Sequence, residues 1–187
     1  MGILSKLNSI KNNNGSSVLA VLVDQVQITN TSVESSVMPL SSSRGTKTIL
    51  ADTLQVGDVI RITGTGVYGT PLVGTDVTIR TKANSVVLSE VVTDAIVSNA
   101  ANDAFTFTLE SSVMSLGVSG EIVSGGNISY QSSSGRILNN LDNNGVPVTV
   151  DTTQDIVFDV TLQWDSASTD RNVVMSTCTL ELLRPPS

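Results

Sequence analysis

The sequence has no histidine, one cysteine and six aromatic residues among its 187 positions. Without an imidazole there is no histidine base to activate a serine or cysteine nucleophile, and no histidine-containing metal site. Cys178 alone can form neither an internal disulfide nor a structural zinc site, so the fold needs no oxidising compartment. Its alternation with Leu180 predicts a small residue of the core.

Charge is also scarce. Charged residues make up 14% of the chain, the net charge is −7, and the ten Lys and Arg residues are scattered singly. No basic stripe is present to neutralise phosphates, which argues against nucleic acid as a partner. No stretch approaches the roughly 18 apolar residues of a membrane span, so we expect none. Lys6 stands where the myristoylation pattern requires Ser or Thr, which argues against a lipid anchor.

Carboxylates are the remaining candidates for catalysis. A glycosidase needs only two of them at a fixed separation, and Asp159, Asp165 and Asp170 are available. Such enzymes also use aromatic platforms for sugar rings, and aromatic residues are 3% of this chain. Asp165 and Asp170 flank one turn, but their spacing differs from that of a calcium-binding EF-hand loop. We therefore predict that the protein is not an enzyme and has no cofactor or metal site.

The residues that are abundant favour β-structure. Valine contributes 26 residues, and serine plus threonine contribute 47. Valine and threonine are β-branched and fit a pleated sheet, while serine is common in turns and on solvent-exposed faces. This composition predicts an all-β protein.

The clearest strand pattern lies near the C-terminal end. The residues predicted to face the core alternate without a break: Ile156, Phe158, Val160, Leu162 and Trp164. A polar loop, 165–171, follows, and the chain then extends again, with Val174, Cys178, Leu180 and Leu182 predicted on one side. Two such runs joined by a short polar loop predict an antiparallel hairpin.

Other segments raise the predicted number of strands to about eight to ten. Clear strand patterns occupy 18–29, 59–63, 77–81, 85–92 and 105–109, and 120–131 predicts a weaker strand pair. Residues 132–144 have the weakest pattern of the interior. The spacing predicts one antiparallel β-sandwich domain over residues 18–187.

Gly64, Gly66 and Gly69 form a G-x-G-x-x-G sequence directly after a predicted strand. In a dinucleotide site these glycines open a helix whose N-terminus holds the pyrophosphate. Here Pro71 and Gly74 follow, which is turn chemistry and not the start of a helix. We therefore predict a glycine-rich bend between strands and no nucleotide site.

Two further segments are candidate contact regions. Residues 1–17 form an N-terminal arm in which Ile3, Leu4, Leu7 and Ile10 make one face of a short helix. The arm is either a disordered terminus or an anchor that orders on a neighbouring molecule. Within 86–92, Val87 and Val91 are predicted on one face and Val86, Leu88 and Val92 largely on the other. Because a monomer would leave one apolar set exposed, Val87 and Val91 are candidate subunit contacts.

Two stretches resemble a known family. Thr53-Leu-Gln-Val-Gly-Asp-Val-Ile-Arg-Ile-Thr-Gly-Thr-Gly resembles an early strand of viral structural jelly rolls, and Asp159-Val-Thr-Leu-Gln-Trp-Asp-Ser-Ala-Ser and Cys178-Thr-Leu-Glu-Leu look like their closing hairpin. Such domains occur in virion fibres, spikes and capsid-associated proteins, and many form trimers in the manner of tumour necrosis factor. The resemblance implies that the sandwich is of the jelly-roll type. It also implies a trimeric structural protein of a virus particle, assembled inside the host cell, with other capsid proteins as partners.

An alternative keeps the same fold and changes its use. The domain would then be a head that binds a host-surface glycan or receptor. Exposed Tyr68, Tyr130 or Trp164 around a pocket would favour binding, whereas burial of these side chains would favour a structural role.

Overall fold

The computed structural model describes residues 15–69, 76–93, 96, 103–132 and 135–185. These residues form β-strands and one three-residue 3₁₀ turn at Leu40–Ser42. The strands are β1 Ser16–Leu22, β2 Val26–Thr29, β3 Ser35–Ser36, β4 Ser43–Gly45, β5 Thr48–Ile49, β6 Val59–Gly69, β7 Val77–Ala83, β8 Val86–Val92, β9 Asp103–Ser115, β10 Gly120–Ser132, β11 Gly135–Asp142, β12 Val148–Val150, β13 Ile156–Trp164 and β14 Asn172–Leu183.

The all-β prediction is confirmed, but there are more strands than the predicted eight to ten. Nine of the fourteen described strands have seven residues or more, and the other five have only two to four. One of the short strands, β5, was predicted at 47–50. The other short strands have too few alternating positions to produce a clear period-2 pattern in the sequence.

The strands make one curled antiparallel sheet. Its order is β3-β13-β7-β8-β11-β10-β9-β6-β14-β1-β4, with β2, β5 and β12 added at β14, β13 and β10. Between β8 and β11 only Glu90 and Asp142 pair, so the sheet turns a corner there. We call β3, β13, β7 and β8 the small layer and the other seven strands of that order the large layer. Leu162 of the small layer lines the same small cavity as Phe105 of the large layer, which shows that the layers face each other across the core.

The segment between β2 and β5 crosses the open side of the curled sheet. β2 pairs with β14 and β4 with β1, both in the large layer, whereas β3 and β5 pair with β13 in the small layer. We call residues 26–49 the strap. It ties together the two ends of the sheet, which would otherwise be open edges.

The predicted closing hairpin is wrong. β13 pairs with β7 and β14 pairs with β6, so the polar loop 165–171 carries the chain from one layer to the other. A short polar loop fits both a hairpin and such a crossover, because neither connection buries its residues. Each of the two strands thus lies beside an earlier strand instead of beside the other.

The predicted side-chain directions are correct for β13 and partly wrong for β14. The five predicted core residues of β13 are all buried, as expected. In β14 a bulge between Met175 and Thr177 inserts one extra residue. Val173 and Met175 are therefore buried together with Cys178, and Val174 faces outward.

The glycine-rich segment does not bend. Gly64, Gly66 and Gly69 lie within β6, and no helix follows among the described residues, which resume at 76. A Cβ at Gly64 would lie 2.5 Å from Cζ of Phe107, and one at Gly66 would lie 2.7 Å from Cε1 of Phe105. Both glycines make room for aromatic rings of the adjacent strand, which corrects the predicted bend.

Two further predictions for the interior of the chain are wrong. Residues 120–131 form one continuous strand, β10, instead of a pair. The weakly patterned segment after it forms β11, which pairs with β10 along its whole length. A turn follows β11, in which Asn144 and Gly145 have φ values of 53° and 69°.

The predicted anchor residues Ile3, Leu4, Leu7 and Ile10 lie outside the described residues. Ser16 and Ser17, which the arm was predicted to include, pair with Leu183 and Leu182 in β1. The sheet therefore begins two residues before position 18.

Candidate contact and binding surfaces

Val87 and Val91 do not share a face. The β7–β8 ladder shifts between the pairs Thr81–Ser89 and Lys82–Val87, and both Leu88 and Ser89 are buried. This bulge reverses the alternation, so Val91 packs against the core while Val87 is 40% exposed. The shared face predicted from strict alternation is corrected, and of the two predicted contact residues Val87 is the exposed one.

The outer face of the small layer carries a network of ion pairs. Glu34 of the strap accepts a hydrogen bond from Thr161 and lies 3.0 Å from Nζ of Lys82. Arg80 binds Glu90 at 2.5 Å and also donates to Oε1 of Gln163 at 2.8 Å. The strap therefore covers this face and pairs its charges.

A second part of this network joins the strap to Asp159 of β13. Nζ of Lys47 is 2.8 Å from Oδ2 of Asp159, and the Ser36 hydroxyl donates to Oδ1 of the same carboxylate at 2.8 Å. Lys47 is buried, and burying an unpaired ammonium group is costly. Asp159 is thus a structural counter-ion, which argues against its use as a catalytic carboxylate.

Glu34 has a lowered pKa. Burial alone would raise it, but hydrogen bonds from Thr161 and Lys82 and the charges of Lys82 and Arg80 together outweigh burial. The carboxylate is therefore held in its charged form by residues of the small layer.

The outer face of the large layer has a different composition. Thr-x-Thr sequences on β14, β6 and β9 lie in register, with Thr177 beside Thr65 and Thr179 beside Thr63. Thr63 and Thr65 in turn pair with Thr108 and Thr106. Six threonines thus make a regular patch of hydroxyl and methyl groups, in which Thr65 and Thr177 hydrogen-bond to each other at 2.8 Å. This patch has no charged residue.

A polar groove of about 540 Å³ lies beside the threonines, on β9, β10 and β11. Its floor is Gly125, whose direct neighbours are Glu110 on β9 and Asp142 on β11. Hydroxyl, amide and further backbone groups complete the lining: Thr108, Ser112, Val123, Ser124, Gly126, Asn127 and Gly145. No pattern in the sequence indicates this groove, because its main feature is a missing side chain.

A cluster of exposed aliphatic side chains lies at one end of the sandwich. Met114, Leu116 and Val118 are exposed on the β9–β10 turn. Val56 is exposed next to Gly57, whose N–H donates to the carbonyl of Val113 at 2.9 Å. We call these four residues the tip. Single exposed aliphatic residues are normal, but a cluster of them is typical of a contact surface.

A buried ion pair fixes the loop that carries Val56. Arg184 donates from Nε and Nη2 to the two carboxylate oxygens of Asp58, at 2.9 and 2.6 Å, and from Nη2 to the carbonyl of Thr53. These hydrogen bonds raise the pKa of Arg184. The tip is therefore built on a rigid base.

The N-terminal arm joins the sandwich at the same end as the tip. Ser16 pairs with Leu183, Leu183 with Val59 and Val59 with Ser112, two residues before Met114. Whatever lies before residue 15 is therefore attached near the exposed aliphatic cluster.

All six aromatic side chains of the chain are buried. Tyr68 and Tyr130 line an apolar cavity of about 20 Å³, which is no larger than a water molecule requires. The Tyr68 hydroxyl donates to the carbonyl of Gln131, and burial raises its pKa to about 12. Neither these tyrosines nor Trp164 offers a platform for a ligand in solvent.

Cys178 and Asp165, two further residues singled out from the sequence, have structural roles. Burial raises the pKa of Cys178 to about 12, so the thiol is unreactive at neutral pH. Asp165 is bound by the guanidinium of Arg171, which also holds the loop through Ser166. In the part of the chain that the structure describes, no three His, Cys, Asp or Glu side chains come together as a metal site would require.

None of the known protein-family models matches the chain, and no curated protein matches its sequence. Among the described residues there is no helix with the length and apolarity needed to cross a bilayer.

Proposed function

We propose that the chain is a structural subunit of a virus particle, a capsid-associated, spike or fibre protein that assembles as a trimer. The observation that carries this proposal is the distribution of apolar residues. Every aromatic side chain lies in the core, and four of the exposed aliphatic residues cluster at the tip, beside the attachment of the arm. This distribution of apolar residues suits contacts between subunits and offers few groups for catalysis.

The position of the tip supports an assembly role. Its aliphatic residues sit on a turn and a loop that the Asp58–Arg184 pair holds in place, so binding a partner there orders little additional chain. The resemblance to viral jelly rolls supports three subunits, and closed cyclic symmetry is the usual arrangement of identical chains. The arm would extend the same contact surface toward other capsid proteins.

The tip is tested by a double substitution, Leu116→Asp with Val118→Asp, in the full chain. Both side chains are exposed, so the change places charge on the surface without disturbing the core. We expect the molar mass in light scattering to fall from trimer to monomer. Leu138→Asp is the matched control, because Leu138 is an exposed leucine on β11, away from the tip. A trimer that survives the tip substitutions but dissociates with Val87→Asp would place the contact on β8.

Membership of a particle is tested separately. An antiserum against the chain should detect it in the density-gradient fractions that contain virus particles, and immunogold labelling should place it on them. Detection only among unassembled host-cell proteins would contradict the proposal.

The alternative, a glycan- or receptor-binding head of the particle, is favoured by one observation, the polar groove over Gly125. The buried aromatic residues count against a stacking site for sugars. Any recognition would therefore rely on the polar groups of the groove.

A further inference from the structure

We infer that the groove over Gly125 is a binding site for a neutral saccharide. The inference deepens the second of the two functions above and rests on it. Assembly through the tip does not depend on it, because the tip and the groove share no residue.

Gly125 has no structural need to be glycine. A Cβ built on it meets nothing closer than the carbonyl oxygen of Leu141, at 3.6 Å, which is an ordinary contact. Gly126 is different, because its Cβ would lie 2.2 Å from the carbonyl oxygen of Thr108 and its φ is +154°. Within a strand of thirteen residues, glycine costs stability relative to a β-forming residue. The missing side chain at Gly125 therefore has one visible consequence, which is the open groove between Glu110 and Asp142.

The charges of the groove point to a neutral ligand. Oε1 of Glu110 is 2.8 Å from Nε of Arg61, and Glu90, beside Asp142 at the corner of the sheet, is bound by Arg80. Asp142 accepts the backbone N–H of Asn144 with Oδ1. Of the two carboxylates that line the groove, Glu110 thus has its own cation, and Asp142 is the one that forms no ion pair among the described residues. The groove therefore presents several oxygen acceptors and a single carboxylate whose charge is not balanced by a cation. A cationic partner would gain little there.

The hydrogen-bonding groups suit a polyol. Carboxylates accept from sugar hydroxyls, the amide of Asn127 both donates and accepts, and the hydroxyls of Thr108 and Ser112 can do either. Glu110 and Asp142 lie two strand spacings apart, about 10 Å, and both border Gly125. A sugar ring lying on the glycine backbone would therefore have polar partners on both sides.

Affinity at one groove should be low, since no aromatic ring is available for stacking. Three grooves on one trimer would compensate by binding a multivalent glycan together, and linked sites can gain about 100-fold or more in avidity. This explains how a surface of a structural protein can recognise a cell coat without a deep pocket.

The experiment measures binding of the full chain to lactose, maltose, cellobiose and N,N′-diacetylchitobiose by saturation-transfer NMR and titration calorimetry. Gly125→Val fills the groove, and we expect it to weaken binding of the best sugar by about tenfold or more, because the added side chain occupies the sugar's place. Asn127→Ala, at an exposed position, should weaken it as well. Thr177→Val, on the same face outside the groove, is the control and should bind like the natural chain.

Binding of charged probes provides a second test. Sialyllactose should bind more weakly than lactose, because its carboxylate meets the acceptors of Glu110 and Asp142. Pentalysine should not compete with the sugar. The inference is overturned if none of the four sugars binds at millimolar concentration, if folded Gly125→Val binds them unchanged, or if pentalysine is the probe that occupies the groove. Because these measurements read binding and not molar mass, they leave the assembly proposal untouched.

Discussion

The outer faces of the two layers differ in their polar groups and in whether another segment of the chain covers them. On the small layer, ion pairs link two strap residues, Glu34 and Lys47, to Arg80, Lys82 and Asp159, and Arg80 also binds Glu90. On the large layer, threonine rows and a glycine-floored groove face solvent without a covering segment among the described residues. One face is closed by the chain itself, and the other is open.

This difference bears on where subunits meet. A covered, paired face has few groups left for a partner, and a hydroxyl-rich face is well hydrated without one. The exposed aliphatic side chains of the tip are the surface that gains most from being buried against a second copy. The two faces thus favour assembly through the end of the sandwich, and recognition on the open face.

The largest effect is expected in the core that both faces share. Trp164→Ala should lower the free energy of unfolding by about 3–5 kcal/mol, because a fully buried ring is replaced by a cavity. Trp164→Phe is the matched control and should cost clearly less, since the indole N–H has no hydrogen-bond partner among the described residues. Urea denaturation of both variants measures the difference. An unchanged midpoint for the alanine variant would show that β13 is assigned to the wrong face.

The comparison of the faces is tested by a matched pair of substitutions. Asp159→Asn leaves Lys47 without its counter-ion and should lower the free energy of unfolding by about 3 kcal/mol. The Lys47 and Asp159 side chains are 6% and 19% exposed, against 37% and 46% for Arg61 and Glu110 on the open face. Glu110→Gln should therefore cost less than about 1 kcal/mol. Equal losses in chemical denaturation would mean that the faces do not differ as described.

The pH dependence of Glu34 is a smaller test of the covered face. Its pKa lies below the ordinary 4.5, so its charge stabilises the fold above that pH, and this stability is lost as pH falls through the lowered pKa. Glu34→Gln should cost about 1–2 kcal/mol at neutral pH through the lost charged hydrogen bonds. The difference in unfolding free energy between this variant and the natural chain should shrink in strong acid. A gap that stays constant with pH would rule out the charge of Glu34 as the cause.

The smallest effect is expected on the open face. Gly125→Val should leave stability unchanged or raise it by up to about 1 kcal/mol, since valine is a better strand residue than glycine. Gly126→Val should destabilise, because its side chain would collide with the Thr108 carbonyl. Thermal unfolding of the two variants makes the comparison, and equal destabilisation would mean that Gly125 is structural after all.

The sequence predicted strands well and their partners poorly. The alternation of β13 records burial directly, because a half-buried strand places every second residue in the core. Pairing depends on contacts between residues far apart in sequence, so the loop 165–171 could not distinguish a hairpin from a crossover. Bulges in β8 and β14 reversed the alternation at Val91 and Val174, and one inserted residue leaves no mark in the composition.

The candidate surfaces were harder still to predict. The groove depends on the absence of a side chain at Gly125 and on the register that places Glu110 and Asp142 on either side of it. The tip combines Val56 with residues almost sixty positions later, which only the folded chain brings together. In both cases the signal is three-dimensional, and the single residues involved are ordinary.

The most direct test of assembly is the molar mass of the full chain by light scattering at micromolar concentration. A trimeric particle subunit predicts three times the 19.5 kDa of one chain, and the tip substitutions should reduce it to one. A natural chain that measures 19.5 kDa under these conditions would contradict the proposed trimer and most of the case for a structural protein of a particle.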